Sequence, residues 1–188
     1  MKLKEKMIDL IKRNRISSTE VADALGKSGV LDDINILAPG QFKVGEVQYI
    51  YGHDESNWPI HEQAQDIKEE CVLYVDMFDC DNKAAFGDLV AKYLVLYKRA
   101  EAVVVNGLMR DNHTLYKERY PIWCKGVTPL GCFNKKVTLK DDTRILMEAN
   151  RKKFHGGILV CDDTGCTLIR PDQVTEAFYK KLEFIEIQ

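Results

Sequence analysis

The chain has 188 residues, of which 45% are hydrophobic and 30% are charged, and its formal net charge at pH 7 is −2. This length and composition are typical of one globular domain with its own core, and the near-neutral charge excludes a general electrostatic attraction to nucleic acid or to an anionic membrane. Its apolar runs are far shorter than the roughly 20 residues of a membrane span, and its first residues are of mixed charge, so we expect a cytoplasmic protein without a signal peptide.

Six cysteines are spread along the chain with neither a CxxC pair nor the spacing of a zinc finger. Several of them lie inside apolar, strand-like runs, where a free thiol behaves as a small hydrophobic group. We therefore expect reduced, structural thiols, which are usual in cytosolic proteins.

The amino-terminal segment predicts a helical arm over residues 1–26. Its first part places apolar residues at helical spacing. Ser17 then stands three residues before Glu20, which is the spacing of a capping box and predicts the start of a second, short helix. Gly26 is a natural end for that helix.

The middle of the chain alternates strand-like and helix-like patterns. The predicted elements are a strand within 42–51, a helix over 58–67, a strand over 71–77, a helix over 86–98, a strand over 102–105, a helix over 112–119 and a strand over 121–124. The 86–98 helix is expected to bury its apolar residues, including Leu89 and Tyr97. The strand–helix–strand–helix–strand order of residues 71–124 is typical of parallel strands joined by right-handed crossovers.

The remainder of the chain has a more β-like pattern, with predicted strands over 136–139 and 157–161. Gly165 stands in a turn and predicts a hairpin in which this glycine takes a positive φ. A final amphipathic helix is expected after Pro171. We therefore predict a single mixed α/β domain over residues 1–188, with the helical arm at its start and a central βαβ region at 71–124.

Two short segments of that region carry the residues of chemical interest. Residues 86–90 (FGDLV) open a helix, and residues 103–111 (VVVNGLMRD) form a strand that runs into a predicted Gly turn and an Arg-Asp pair. Parallel strands bind ligands at their carboxyl edge, so we expect the two segments to meet there.

The residue types in these segments suit an anionic ligand and a divalent metal. The guanidinium of Arg110 can hold a carboxylate through two parallel hydrogen bonds, and the carboxylate of Asp111 can bind Mg²⁺. Gly87 lets a ligand approach the backbone, whose N–H groups from Gly87 to Val90 face outward at a helix start. An Arg-Asp pair after a strand is nevertheless more often a surface ion pair or a helix cap, so spacing leaves both interpretations open.

The segments 103–111 and 120–129 resemble the regulator of ribonuclease activity A family, which also contains the metal-dependent 4-hydroxy-4-methyl-2-oxoglutarate aldolases. The similarity extends to residues 86–90, 18–26 and 157–165, and so covers most of the chain from about residue 17 to 170. Its most specific part is the Asn-Gly-x-x-Arg-Asp sequence that ends at Asp111.

This resemblance implies a β/β/α swivelling-type domain that assembles as trimers or hexamers. It implies that Arg110 holds the carboxylate of a pyruvoyl group and that Asp111 binds Mg²⁺ or Mn²⁺. The backbone that would cradle the 2-oxo acid belongs to Gly87, Asp88, Leu89 and Val90. Aldol cleavage would then release a metal-stabilised pyruvate enolate, and decarboxylation of oxaloacetate would use the same chemistry.

The chain departs from the family pattern at three places. Thr114 stands where the family often has a carboxylate, three residues after the metal-binding Asp, and a Thr hydroxyl can orient water but cannot act as a base at pH 7. Asp76 is followed by Met-Phe where a Gly-rich loop is common. A Gly-Gly pair at 156–157 replaces the usual Gly-Asp. His113 is a further candidate for a metal ligand or proton shuttle, or a solvated helix residue.

Two functions remain in competition. The first is a metal-dependent lyase of the pyruvate aldolase type that cleaves or decarboxylates a small 2-oxo acid. The second is a non-catalytic oligomeric regulator that binds a ribonuclease or another protein, and the three departures favour it. A methyltransferase is disfavoured because no Gly-rich loop follows a first strand to hold an adenosyl cofactor.

Overall fold

The computed structural model describes residues 2–185, and its centre is a seven-stranded mixed sheet. The strands are β1 (Asn35–Ile36), β2 (Lys43–His53), β3 (Val72–Phe78), β4 (Ala102–Met109), β5 (Ile122–Val127), β6 (Ile158–Asp162) and β7 (Gly165–Ile169). Their order across the sheet is β1-β5-β4-β3-β2-β6-β7. β2, β3, β4 and β5 run parallel, whereas β1 pairs antiparallel with β5, and β6 pairs antiparallel with both β2 and β7.

In the described part of the chain, seven α-helices surround this sheet. They are α1 (Leu3–Asn14), α2 (Ser18–Ala24), α3 (Trp58–Gln63), α4 (Asp88–Lys92), α5 (Asn112–Lys117), α6 (Asp141–Phe154) and α7 (Glu176–Ile185), with 3₁₀ turns at Ala64–Asp66 and Pro171–Gln173 and a π-helical turn at Tyr93–Tyr97. Among the described residues, no helix combines the length and apolar character needed to cross a membrane.

The parallel strands and their crossovers confirm the mixed α/β fold with a central sheet. Val75 on β3 pairs with Val105 on β4, which in turn pairs with Cys124 on β5, as the order of elements over 71–124 predicts. α3, α4 and α5 contribute to the core on one face of these strands, and α6 contributes to the core on the other face. Burial on both faces explains why the strands are almost continuously apolar.

The helical arm packs on the β6–β7 hairpin together with α7. α2 starts where the capping box predicts, because Ser17 Oγ accepts from the Glu20 N–H while the Glu20 carboxylate accepts from the Ser17 N–H. It ends at Ala24, shortly before Gly26, as expected. β2 joins this part of the fold to the parallel strands, since its residues 43–46 pair with β6 and its residues 47–53 pair with β3. Gly165 has φ +143°, as expected in the hairpin.

The predicted strand over 136–139 is wrong, and a 14-residue helix that follows it, α6, is absent from the sequence-based prediction. Residues 136–139 have no regular structure. The buried stripe of α6 consists of Thr143, Met147 and Phe154. Such a narrow apolar stripe among many charged residues gives little helical periodicity in the sequence.

Two expectations around the site also need correction. The helix predicted over 86–98 begins at Asp88 and continues into the π-helical turn. Leu89 and Tyr97 are 79% and 72% exposed, so the expectation that they are buried is wrong. The predicted turn at Gly107 is wrong too, because β4 continues to Met109 through a shift in its register with β5. A Cβ at this glycine would lie 2.8 Å from Cγ of Met77, so its role is to admit a neighbouring side chain.

Candidate functional site

The structure brings the start of α4 beside the carboxyl end of β4. The Ala85 N–H donates to the Leu108 carbonyl at 2.8 Å, and the Arg110 N–H donates to the Phe86 carbonyl at 3.2 Å. The segment before α4 therefore runs along the last residues of β4. This pairing places Gly87 against the Arg110–Asp111 pair.

The carboxylate of Asp111 occupies the space that Gly87 leaves open. A Cβ added to Gly87 would lie 1.9 Å from Asp111 Oδ2, which is far inside the closest approach that Cβ atoms make. Gly87 has φ −123°, a value that other residues adopt freely, so its importance lies in space and not in backbone freedom. The Asp88 N–H donates to the same Oδ2 at 3.1 Å, which holds the carboxylate on the backbone.

Two of the backbone donors expected to hold a ligand are paired within the chain. Asp111 accepts from the Asp88 N–H, and the side chain of Asp88 accepts from the Leu89 N–H at 2.8 Å. The side chain of Leu89 points to solvent, whereas Val90 is partly buried and packs on the core below. The four residues Gly87 to Val90 thus divide into two that line Asp111 and two that do not.

Arg110 lies at the surface beside Asp111, with its Nε 3.7 Å from Asp111 Oδ2. Its guanidinium passes over Gly131, where a Cβ would approach Nη1 to 2.6 Å. No local sequence pattern indicates this contact, because Gly131 reaches the site only through the tertiary fold. A shallow depression of about 240 Å³ lies next to this pair, and its walls are Arg110, Asp111, Asn112, Val127, Thr128 and Pro129.

The backbone of Asp111 is left-handed, with φ +61° and ψ +34°, and the residue precedes the first turn of α5. Its side chain makes no capping bond to that helix. Thr114 follows on the first turn and is partly buried, while His113 is exposed to solvent. Asp111 therefore directs its carboxylate back towards Gly87 instead of forward into α5.

The donor set at Asp111 fits a hydrated Mg²⁺ or Mn²⁺ better than zinc. Within residues 2–185 no group of three or more His, Cys, Asp or Glu side chains is arranged to hold a metal. Zinc sites commonly use three or four such ligands, whereas Mg²⁺ is often held by one or two carboxylates and keeps several waters. One carboxylate, 40% exposed and open to the depression, meets the second requirement.

A buried polar network, which the sequence reasoning missed, fixes the strand ends behind this site. Asp76 is 1% exposed and accepts three hydrogen bonds of 2.8 Å, from the Tyr49 hydroxyl and from the side-chain amides of Asn106 and Asn150. Asn106 lies on β4, four residues before Arg110. Burial, with Asp76 close by, raises the pKa of Tyr49 far above its ordinary value, so this hydroxyl stays a donor.

Similar proteins of known structure share this fold. RraAS2 of Streptomyces coelicolor, described as an unusual member of the RNase ES inhibitor RraA protein family, superposes with a TM-score of 0.71 at 18% identity, over 97% of this chain and 94% of that chain. The RNA-processing inhibitor RraA from Thermus thermophilis superposes with a TM-score of 0.60 at 20% identity, over 82% of this chain and 92% of that chain. At these identities the similarity shows the fold alone.

The chain is also similar to Protein DlpA of Legionella pneumophila, with 25% identity over 183 residues and 92% of this chain. It spans 29% of the length of that curated relative. A family profile described as RraA-like, Aldolase/RraA, matches residues 18–168, which is most of the chain and includes the segments around Gly87 and Asp111. The chain therefore belongs to the RraA-like aldolase/RraA family.

Proposed function

We propose that this protein is a divalent-metal-dependent lyase that cleaves or decarboxylates a small 2-oxo acid. The observation that carries the proposal is the Asp111 carboxylate seated in the space left by Gly87, with the Arg110 guanidinium beside it. The family description, which names aldolases, supports this class of reaction. The arrangement offers an anchor for a cation and a partner for a carboxylate within one small depression.

Arg110 has the role of binding the substrate carboxylate. Its guanidinium is partly exposed, so it can turn a pair of N–H groups towards a ligand. Gly131 leaves room for the side chain to lie flat against the backbone. Asp111 has the role of holding Mg²⁺ or Mn²⁺, which would supply positive charge opposite the negative charge that develops on the 2-oxo oxygen.

The backbone N–H of Asp88 lies at the site but already has a hydrogen-bond partner. This N–H donates to Asp111 Oδ2 at 3.1 Å. A substrate oxygen that uses this donor would have to replace the carboxylate there. Such a replacement would move the proposed metal ligand away from Gly87, so we expect this N–H to stay with Asp111 and the substrate carboxylate to bind Arg110.

Thr114 favours decarboxylation over aldol cleavage. Aldol cleavage of a 4-hydroxy-2-oxo acid needs a base to take the proton of the hydroxyl group, and Thr114 is neutral at pH 7. Decarboxylation of a 3-carboxy-2-oxo acid such as oxaloacetate breaks a carbon–carbon bond without removing a hydroxyl proton. We therefore propose a 2-oxo diacid of this kind as the better substrate class.

The test is pyruvate release from oxaloacetate and from 4-hydroxy-4-methyl-2-oxoglutarate, with Mg²⁺, Mn²⁺ or a chelator. We expect metal-dependent release that is greater for oxaloacetate and that Asp111→Ala abolishes. Asp141→Ala is the matched control, because this carboxylate is 95% exposed and belongs to α6, away from the site. Wild-type rates equal to those of the metal alone would refute the lyase.

A second function, regulation through protein binding, has its own supporting observation. Leu89, Leu96 and Tyr97 are all more than half exposed and lie on one short helical stretch. An exposed apolar surface of this kind suits a homo-oligomer, such as the trimer or hexamer implied by the family resemblance, or a partner such as a ribonuclease. We expect Tyr97→Asp to lower the molecular mass in solution measured by light scattering, with exposed Tyr116→Asp, on the neighbouring α5, as its control.

Ribonuclease inhibition separates the two functions. If the protein is a regulator, wild type and the Asp111→Ala variant should inhibit the ribonuclease equally well. If it is a lyase with no regulatory role, neither protein should inhibit the ribonuclease. Loss of pyruvate release together with retained inhibition in Asp111→Ala would show that both functions exist in one protein.

A further inference from the structure

Two chain segments that flank the Arg110–Asp111 pair are held together at their far ends by backbone hydrogen bonds. The Ala84 N–H donates to the Leu130 carbonyl at 2.7 Å, and the Cys132 N–H donates to the Ala84 carbonyl at 2.9 Å. One segment leads to Gly87, and the other carries Gly131, over which the Arg110 guanidinium lies. A covalent bond between the two segments would therefore restrain the glycines that contact Asp111 and Arg110.

The backbone N–H and carbonyl groups of Glu55 bring the segments of Cys80 and Cys132 close to each other. Its N–H donates to the carbonyl of Asp79 at 3.0 Å, and its carbonyl accepts from the N–H of Phe133 at 2.8 Å. The residue before Cys80 and the residue after Cys132 are thus both hydrogen-bonded to the backbone of one residue, Glu55. The two thiols lie within reach of each other, and this contact shifts the pKa values of both.

The surroundings of this pair favour a thiolate on Cys80. The contact with Cys132 lowers the pKa of Cys80, and the same contact raises the pKa of Cys132 because it ties up the Cys132 proton. While Cys80 is protonated, it donates to the Phe78 carbonyl at 3.2 Å. The ammonium group of Lys83 opposes part of the rise in the pKa of Cys132, because it favours the ionised form of that thiol. Cys132 is partly exposed, so small solutes reach the pair.

None of the remaining four cysteines combines a neighbouring thiol with access to solvent. Cys161 and Cys166 face each other across the β6–β7 hairpin, but both are almost completely buried, and burial raises the pKa of Cys166. Burial also raises the pKa values of Cys71 and Cys124 to about 11. The pair Cys80–Cys132 is thus set apart by a thiol–thiol contact in which one member, Cys132, is partly exposed, although Cys80 is buried.

We propose that Cys80 and Cys132 are a reversible oxidation site, which a peroxide converts into a disulfide that joins the two segments flanking Arg110. The Cys80 thiolate attacks one peroxide oxygen, so that an S–O bond forms, the O–O bond breaks and hydroxide leaves to become water. The Cys132 thiol then loses its proton, and its sulfur attacks Cys80 Sγ. The S–S bond forms, the S–O bond breaks, and the second oxygen leaves as water.

The disulfide would restrain the segment over which the Arg110 guanidinium lies. Cys132 follows Gly131 directly, and Gly131 is in contact with the guanidinium. The bond would fix the position of this glycine relative to the segment that ends at Gly87. The proposal does not rest on the lyase, because the disulfide is detected chemically whether or not the protein turns over a substrate.

The test treats fully reduced protein with hydrogen peroxide, alkylates the remaining thiols and maps the peptides without reduction. We expect the intact mass to fall by two hydrogen atoms, a linked peptide pair that contains Cys80 and Cys132, and complete reversal by dithiothreitol. Cys132→Ser should leave a sulfenic acid on Cys80 that dimedone traps. Cys166→Ala is the matched control and should form the same link as wild type.

Three results would overturn the proposal. The first is a wild-type protein that keeps all its thiols when peroxide has oxidised an equal concentration of free cysteine. The second is a link between other cysteines, such as Cys161 and Cys166. The third is dimedone labelling of Cys132 in the Cys80→Ser variant combined with none of Cys80 in Cys132→Ser, because the order of attack would then be wrong.

Discussion

Replacing Gly87 by alanine tests the geometry of the site with one methyl group. The new Cβ would lie 1.9 Å from Asp111 Oδ2, 2.9 Å from Asp111 Cγ and 3.0 Å from Arg110 Cγ. The backbone at Gly87 is extended and accepts alanine without strain. The effect of the substitution therefore comes from the side chain of Asp111, which must move out of the space that the methyl group takes.

The size of this displacement follows from the distances. Because Cβ atoms essentially never approach other heavy atoms closer than 3.0 Å, the carboxylate must shift by at least about 1.1 Å from its 1.9 Å position. That shift breaks the 3.1 Å bond from the Asp88 N–H. A misplacement of about 1 Å can lower turnover by roughly 100-fold. The free energy of unfolding should fall by about 1–2 kcal/mol. This loss is modest because the carboxylate is partly exposed and regains water.

The assay compares pyruvate release and urea unfolding for wild type, Gly87→Ala, Asp111→Ala and the double variant. In the double variant the obstructing carboxylate is gone, so the loss of stability caused by Gly87→Ala should nearly vanish, a coupling of about 1 kcal/mol or more. Full activity in Gly87→Ala would refute the reasoning about the site. Equal destabilisation in both backgrounds would refute the reasoning about the clash.

Further predictions concern other parts of the structure. Asp76→Ala should lower the free energy of urea unfolding by about 3 kcal/mol or more, because the buried Tyr49 hydroxyl and two partly buried amides lose their acceptor; a loss below about 1 kcal/mol would contradict this. Thr114→Glu should raise the ratio of aldol cleavage to decarboxylation by about 100-fold, and an unchanged ratio would exclude the missing base. Burial lowers the pKa of His155, and its Nδ1 accepts from the Tyr49 N–H at 3.3 Å. The unfolded chain therefore binds the proton more tightly, so thermal stability should decrease as the pH falls below about 6.5, and His155→Gln should flatten this dependence.

The sequence allows prediction of those parts of the fold that depend on local pattern. The apolar runs over 71–124 indicate parallel strands because strands buried on both faces have no polar alternation. The capping box at Ser17 and the hairpin glycine at 165 depend on a few adjacent residues, and both are confirmed. α6 is missed because its apolar stripe is too narrow to give a clear period.

The candidate site is predictable only in part. Gly87, Arg110 and Asp111 lie together, as expected from the topology of parallel strands, but their roles stay a prediction. Gly131 contributes through a contact between segments that are distant in the sequence, and no local pattern announces it. The exposure of Leu89 was not predictable either, since an apolar residue gives no sign of whether its own chain or another molecule covers it.

The left-handed backbone of Asp111 implies a cost in stability at the candidate site. This conformation costs a residue other than glycine about 1 kcal/mol, and α5 begins without a side-chain cap, which is worth a similar amount. The two costs together are about 2 kcal/mol. This is roughly two fifths of the smallest free energy of unfolding of a typical domain, and it accompanies the placement of one carboxylate against Gly87. Selection for heat resistance alone is expected to replace Asp111 early. The carboxylate that lies against Gly87 would be lost with it.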